Sequence, residues 1–366
     1  MFGSHLSIAG GLENALIAAK DLGCDCVQVF TRNQRRWSNP PIDDEEVERW
    51  RTGLAALGWD REGPPRVVSH NSYLVNLAAP TGETRRRSIV AQRQELERCE
   101  RLGIERCVIH PGAHLGDAPK AGTPLDLDRP PTRDERRGLD RIVKALDRIH
   151  RDLAGHRVVT LLETTTGSGS NLGWNFSHLA AIREGVAEPD RIGFCFDTCH
   201  VTAAGWDMTT PARARAVLER FDETCGLGRI GAFHMNDSKG AVGSRLDRHA
   251  HIGEGACGES CFRAICGDPR FDEIPKILET AKEEGPGGVP WDEINLRRLR
   301  GFASRRRRTA PITPRSRRRG SPGADSTEDR SSRTRRRPTG SDASAGTGRS
   351  RSKSARKTPA KRTSKS

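Results

Sequence analysis

Residues 191–200 read Arg-Ile-Gly-Phe-Cys-Phe-Asp-Thr-Cys-His, an apolar run that stops at an acid and is followed closely by a histidine. Such a short apolar run is typical of a buried β-strand. The same pattern, an apolar run that ends at a polar residue and precedes a helix-like stretch, occurs eight times before residue 296. The predicted strands are Phe2–His5, Cys26–Phe30, Arg66–His70, Arg106–His110, Arg157–Glu163, Arg191–Asp197, Arg229–His234 and Ile274–Glu279.

Amphipathic stretches separate these strands. They include Leu12–Leu22, Glu45–Leu57, Arg85–Leu102, Leu139–Leu153 and Pro211–Thr224, and a last helix is expected at Asp292–Arg300. Strands that alternate with helices predict parallel βαβ units. Eight such units in this length favour a closed TIM (β/α)₈ barrel over an open sheet. Residues 114–133 carry four prolines and predict a long surface loop after the fourth strand.

The charge is unevenly distributed along the chain. The net charge is +14, but residues 297–366 hold 24 Lys+Arg and only 4 Asp+Glu, which leaves residues 1–296 at −6. We therefore predict a barrel domain at 1–296 and a disordered Arg/Ser/Lys-rich tail at 297–366, since the tail has almost no large apolar side chains. We expect the tail to bind any polyanion, DNA included, and to keep the barrel near DNA; the alternative is a spacer that makes no specific contact.

Other broad features narrow the class of protein. The first ten residues lack a basic segment and a continuous apolar run, so no signal peptide is expected. The sequence contains no run of about 18 apolar residues, so no membrane span is expected. The ten cysteines are expected to be reduced, and Cys195 and Cys199 are interpreted as buried packing residues rather than metal ligands.

The ends of the strands carry the strongest functional signal. Strands three to eight end at six residues that can bind metal, namely His70, His110, Glu163, Asp197, His234 and Glu279. His200, Asp247 and His249 follow shortly after strand ends and make nine candidates. Active sites of such barrels lie at the carboxyl ends of the strands, and histidine with carboxylate ligands suits zinc. Nine ligands indicate two or three ions, an arrangement suited to phosphodiester hydrolysis.

Several strings in the chain resemble endonuclease IV, a family of metal-dependent apurinic/apyrimidinic endonucleases. The resemblance covers residues 2 to about 296, in order. Its strings are 30–37 (FTRNQRRW), 70–77 (HNSYLVNL), 110–112 (HPG), 169–173 (GSNLG), 197–200 (DTCH), 234–239 (HMNDSK), 247–249 (DRH), 252–255 (IGEG) and 277–280 (ILET). Residues 166–168 and the prolyl loop depart from the family pattern, which concerns loop contacts rather than the metal ligands.

The resemblance implies a trinuclear zinc centre. It assigns His70 and His110 to a first ion, with Glu163 bridging to a second. It assigns Asp197, His234 and Glu279 to the second ion, and His200, Asp247 and His249 to the third. Glu163 and Glu279 are also implied as catalytic residues. Arg35, Tyr73 and Leu74 are implied to enter DNA at the lesion, whereas the sequence alone leaves ordinary loop packing equally open.

The implied function is hydrolysis of the phosphodiester 5′ to an abasic site in double-stranded DNA. This cleavage leaves a 3′-hydroxyl and a 5′-deoxyribose phosphate, and activity on blocked 3′ ends is expected with it. A monomer is expected, in the cytoplasm and, in a bacterium, at the nucleoid. The alternatives are a xylose-isomerase-like sugar isomerase or epimerase and an inactive nucleic-acid-binding barrel. His5, His114, His178 and His251 remain without an assigned ligand role and are interpreted as structural or supporting residues.

Overall fold

Eight parallel strands close into a barrel in the computed structural model, which describes residues 1–120 and 122–309, with side chains as far as residue 304. Each strand pairs with the next along the chain, and the last pairs back onto the first. The barrel strands are β1 Phe2–His5, β2 Cys26–Val29, β3 Val67–His70, β4 Arg106–Ile109, β5 Val159–Glu163, β6 Ile192–Asp197, β7 Ile230–His234 and β10 Lys276–Leu278. A short antiparallel hairpin, β8 Asp237–Ser238 with β9 His249–Ala250, follows β7. The predicted TIM barrel is confirmed.

Helices surround the barrel. They are α1 Glu13–Asp21, α2 Asp44–Leu57, α3 Glu83–Leu102, α4 Arg133–Asp152, α5 Phe176–Gly185, α6 Thr198–Ala204, α7 Pro211–Cys225, α8 Glu259–Cys266 and α9 Trp291–Thr309. The expected start of α4 at Leu139 was six residues late, because a capping box of Thr132 and Glu135 begins the helix at Arg133. The predicted prolyl loop therefore fills the space between β4 and that cap.

The barrel interior is filled by apolar side chains from five neighbouring strands. This buried cluster, here called the inner apolar layer, consists of Val68, Val108, Leu161, Cys195 and Ala232. Glycines on the adjacent strands make room for its largest member. A Cβ added to Gly193 would lie 2.8 Å, and one added to Gly231 2.6 Å, from a methyl carbon of Leu161. The two glycines therefore allow a full leucine side chain to sit in the narrow interior.

The last helix extends beyond the expected domain boundary at residue 296. It continues to Thr309, and Leu296 and Leu299 are buried against the core, with Phe302 packed beside them. The three-residue spacing of these apolar side chains places them on one helix face. Of the predicted tail, residues 310–366 lie outside the described residues. Within the part of the chain that the structure describes, no helix is long and apolar enough to cross a membrane.

Candidate metal centre at the mouth of the barrel

The strand ends bring the six predicted side chains together at one mouth of the barrel. His70, Glu163, Asp197 and His234 are the last residues of their strands, and Glu163, Asp197 and His234 have no exposed surface. His110 and Glu279 each come directly after a strand. The side chains of parallel strands that end at the same level converge on the barrel axis, so this placement follows from the topology.

The start of α6 explains the Asp-Thr-Cys-His string. Asp197 is the N-cap of α6, and its Oδ1 accepts a hydrogen bond of 2.8 Å from the backbone N–H of His200. The other carboxylate oxygen of Asp197 stays directed to the mouth, 2.7 Å from Nδ2 of Asn236. One turn of helix therefore presents both Asp197 and His200 to the same site.

The hairpin after β7 supplies the last two predicted ligands. Asp237, a fully buried residue of β8, accepts hydrogen bonds from the backbone N–H groups of Ser238, Gly253, Gly255 and Cys257. These bonds fold the chain around the hairpin. Asp247 precedes β9 and His249 begins it.

The nine predicted ligands form three groups in the mouth, and within each group the ligand atoms lie within 4.8 Å of one another. They are His70 with His110 and Glu163, then Glu163 with Asp197, His234 and Glu279, and then His200 with Asp247 and His249. Glu163 belongs to two groups because its two oxygens face different ways. Its Oε2 is 3.0 Å from His110 Nε2, and its Oε1 is 2.9 Å from His234 Nδ1. The resemblance assigns these same three sets to three ions, and that assignment stays a prediction.

The buried carboxylates at the mouth favour positive charge on the groups around them. Burial by itself raises the pKa of a carboxylic acid, but His110 and His234 hold the pKa of Glu163 well below its usual value. Burial also opposes the charged form of His200 and His234, yet the surrounding acids raise both of their pKa values well above normal. Glu163 thus stays ionised at neutral pH, and the surrounding acids favour the protonated forms of His200 and His234.

One unpartnered atom indicates that a cation fits this set of donors. Nε2 of His249 is buried without a hydrogen-bond partner among the described residues, 3.5 Å from Asp247 Oδ1 and 3.9 Å from Asp197 Oδ2. A buried imidazole nitrogen directed at two carboxylate oxygens has the arrangement of a metal ligand. Four carboxylates and five imidazoles form a donor set that zinc favours.

Cys199 lies closer to the centre than its interpretation as a packing residue suggested. With Asp197 and His249 it forms a further group of ligand atoms within 4.8 Å. Burial and the neighbouring Asp197 raise the pKa of the Cys199 thiol to about 12, and its sulfur lies 3.7 Å from the carbonyl oxygen of Arg248. The thiol is therefore protonated at neutral pH, as is usual for a buried packing residue.

Several supporting residues escaped the sequence analysis. Asn236 donates to Asp197 and accepts a 2.8 Å hydrogen bond from the backbone N–H of Glu279, and Gln28 contacts both His234 and Glu279. Thr164, which directly follows Glu163, accepts through its carbonyl oxygen from His200 Nδ1 at 2.8 Å. A polar residue on the inward face of β2 was the signal that could have identified Gln28.

The predicted DNA-contacting residues lie on the rim of the mouth. Tyr73 is 65% exposed although its ring centre is only 5.6 Å from that of His70, so a flat apolar face stands beside the candidate ligands. Arg35 is exposed and forms no ion pair within the described residues, while Leu74 is half-buried. A cavity of about 340 Å³ opens between Tyr73 and Glu279, lined by His5, Leu6, Ser7, Ile8, Phe30, Gln34, Tyr73, Glu279 and Lys282.

The four histidines without an assigned ligand role have separate environments. His178 is buried, accepts a 3.3 Å hydrogen bond from the backbone N–H of Gly173 and lies 4.0 Å from Glu135. His114 accepts from the backbone N–H of Gly116, and the ring of His251 stacks on Trp291. His5 alone among the four lines the cavity at the mouth.

Comparison with known proteins gives consistent results. The chain matches the family described as xylose isomerase-like TIM barrel over residues 16–301. A protein of Trichlorobacter lovleyi named probable endonuclease 4 is 43% identical over 300 residues, which cover 82% of this chain and 98% of that protein.

Two solved structures define the fold relationship. Endonuclease IV from Thermus thermophilus superimposes with a TM-score of 0.67 at 34% identity, over 83% of this chain and 99% of that one. A D-tagatose 3-epimerase-like protein superimposes with a TM-score of 0.57 at 18% identity, over 84% of this chain and 98% of that one, which is a likeness of fold alone. The identity and near-complete coverage of the relatives establish that this chain belongs to the endonuclease IV family of xylose isomerase-like TIM barrels.

Proposed function

We propose that this protein is a zinc-dependent DNA-repair endonuclease that hydrolyses the phosphodiester bond 5′ to an abasic site. The observation that carries the proposal is the position of Glu163, whose two oxygens face two separate groups of ligand atoms. Three adjacent groups at one open mouth suit a phosphodiester, which needs charge stabilisation on several oxygens at once. The products would be a 3′-hydroxyl and a 5′-deoxyribose phosphate.

The residues present would hold three zinc ions in the three groups, with Glu163 shared between the first two. When bound, the ions would polarise the phosphate oxygens and lower the pKa of an attacking water. Glu163 would keep its neighbouring groups at a fixed separation because both of its oxygens are engaged. Glu279 belongs to the second group and also lines the cavity, so it would help to orient the reacting phosphate and accept the proton that the attacking water gives up.

Recognition of the lesion would depend on the rim. A base-paired nucleotide is stacked on both sides, whereas an abasic site lacks stacking and is cheaper to open and bend. The exposed ring of Tyr73 and the side chain of Leu74 would fill the space that opens, and Arg35 would contact the phosphate backbone. The same open mouth would admit blocked 3′ ends, which supports an additional 3′-phosphodiesterase activity.

The proposed partner is double-stranded DNA with an abasic site, bound by a monomer. The proposed location is the cytoplasm and, in a bacterium, the nucleoid. The basic residues 297–366 would add affinity for DNA of any sequence, because the preceding part of the chain carries a net charge of −6.

A sugar isomerase or epimerase is the alternative function within the same fold. Such enzymes act on small polar molecules and need fewer metal ligands. The group formed by His200, Asp247 and His249, together with the exposed Tyr73, favours a nuclease instead. A binding protein without activity would have no use for nine ligands held in position.

The proposal is tested with a duplex that carries one abasic site and a label at the 5′ end of the damaged strand. Zinc-loaded protein should cut only that strand, on the 5′ side of the lesion, and a DNA polymerase should extend the product from its 3′-hydroxyl. Cleavage 3′ to the lesion, or an absolute requirement for Mg²⁺, would point to a different nuclease class. Conversion of a ketohexose to its epimer without DNA cleavage would support the alternative.

A further inference from the structure

Gln28 is a fully buried amide directly below the candidate metal centre, on β2. Its side chain touches three groups. Its Nε2 lies 2.6 Å from Glu279 Oε1 and 2.9 Å from His5 Nδ1, and its Oε1 lies 2.8 Å from His234 Nε2.

The contacts fix which way round the amide lies. A carboxylate can only accept hydrogen bonds, so the atom of Gln28 next to Glu279 must be the donor nitrogen. The carbonyl oxygen of Gln28 then faces His234 Nε2, which must carry a proton to donate to it. The opposite nitrogen, His234 Nδ1, faces three carboxylate oxygens, those of Glu163 at 2.9 Å, Glu279 at 3.2 Å and Asp197 at 3.7 Å.

The same amide also orients His5. The second N–H of Gln28 Nε2 points to His5 Nδ1, which accepts and therefore carries no proton. The proton of the neutral His5 ring is then on Nε2, which has no hydrogen-bond partner among the described residues. His5 lines the cavity beside Tyr73 and Glu279. The ring thus offers one N–H donor to a molecule in that cavity.

The geometry points to Gln28 as a positioning residue that sets the tautomers of two histidines. It leaves Nδ1 of His234 free to bind a cation and makes His5 a hydrogen-bond donor to an oxygen of the bound deoxyribose or its phosphate. The inference about His234 rests on the proposed metal centre. It assigns the binding atom of that histidine and adds His5 to the substrate contacts.

The test begins with the wild-type protein, loaded with zinc and labelled with ¹⁵N in its histidine rings. Two-bond ¹H–¹⁵N spectra distinguish the two ring nitrogens, and the signals are assigned by comparison with His5→Leu and His234→Asn. We expect a proton on Nε2 of both rings. A proton on Nδ1 of His234 or of His5 in the wild-type protein would overturn the assignment. This measurement does not depend on whether a Gln28 variant folds.

The second step replaces the amide by an apolar side chain of similar length. Gln28→Met should lower zinc affinity about 10–100-fold, the usual effect of losing a partner that orients a metal ligand. Thr160→Val, which removes another buried polar group from a barrel strand, is the matched control and should leave zinc affinity unchanged. Unchanged zinc affinity and unchanged His234 signals in folded Gln28→Met would refute the role of Gln28.

His5→Leu separates the substrate contact from the metal centre. It should keep its zinc content and raise KM for the abasic duplex about tenfold, as expected for one lost hydrogen bond to a charged oxygen. An unchanged KM would refute the substrate contact. Failure of the wild-type protein to bind zinc would count against the metal centre itself, whereas the tautomer of His5 can be read in that case too.

Discussion

Two layers of the barrel interior differ sharply although they lie one step apart on the same strands. The inner apolar layer consists of Val68, Val108, Leu161, Cys195 and Ala232, and the residues two positions further along are His70, His110, Glu163, Asp197 and His234. Side chains two residues apart on a strand share a face, so both layers point inward. The candidate ligands and the apolar packing residues thus lie on the same inner face of the barrel, and only their position along each strand separates them.

The difference between the layers shows how a charged site is kept in position. The apolar layer closes the barrel below the mouth, so water reaches the centre only from the open side. In such surroundings the attraction between carboxylates and cations is stronger than in water, and packed neighbours hold each side chain in one rotamer. Strand β2 departs from this pattern, because it places Gln28 at its inward position and Phe30 beyond it.

The largest effect is expected at the upper layer, from removal of one charge. Glu163→Gln keeps the shape of the side chain but loses the charge shared by two groups of ligands. Cleavage of the abasic duplex should fall by more than about 100-fold, beyond the effect of losing a mere supporting partner. Single-turnover kinetics with metal analysis measure this. Activity near that of the wild type at full metal content would remove Glu163 from the centre.

A change in the lower layer should affect stability and spare the chemistry. Leu161→Ala leaves a cavity between Gly193 and Gly231 and should lower the free energy of unfolding by about 2–5 kcal/mol. The cleavage rate per folded molecule should stay within about twofold of the wild type. Urea denaturation and single-turnover rates give the two values. A stable variant with much slower cleavage would mean that the layers do not act separately.

Changes at the rim test how far the site layer extends outward. Tyr73→Ala removes the exposed ring beside His70 and should weaken binding to abasic DNA by about 1–3 kcal/mol, the range for loss of an aromatic stacking platform. Binding to undamaged duplex should change much less, because the stack there remains closed. Arg35→Ala should show the same direction. Equal losses on both duplexes would assign these residues to general backbone binding.

The smallest effect concerns a histidine outside both layers. Burial lowers the pKa of His178 to about 4, so the folded protein keeps this ring neutral where the unfolded chain would protonate it. Stability from this group is present above the unfolded pKa of 6.5 and is lost as the pH falls from there toward 4. His178→Gln should reduce the slope of stability against pH in that window by up to about 1.4 kcal/mol per pH unit. An unchanged slope of stability against pH would contradict a lowered pKa for His178.

The positions of the strands and of the side chains at the mouth could be predicted from the sequence, but the grouping of those side chains could not. Apolar runs that end at His70, Glu163 and Asp197 specified both the strands and the side chains at the mouth, because strand alternation and parallel topology determine where such residues meet. The division into three groups came from the family resemblance, since spacing along the chain does not say which strand ends share an ion.

Other features depended on contacts between distant segments. Gln28 and His234 are separated by 206 positions, and no local pattern relates them. The start of α4 was missed because its capping box lies within a proline-rich stretch. The extension of α9 to Thr309 was missed because the arginines that follow suggested an unfolded tail more strongly than Leu299 and Phe302 suggested a helix face.

The central claim is that the upper layer is a metal centre that cleaves DNA, and a zinc titration of metal-free protein tests it most directly. Bound zinc and the single-turnover cleavage rate on an abasic duplex are measured on the same samples. We predict saturation at three zinc ions per chain, with cleavage appearing only as the last sites fill and without added Mg²⁺. Full cleavage by metal-free protein, or zinc binding that never produces cleavage, would contradict the account.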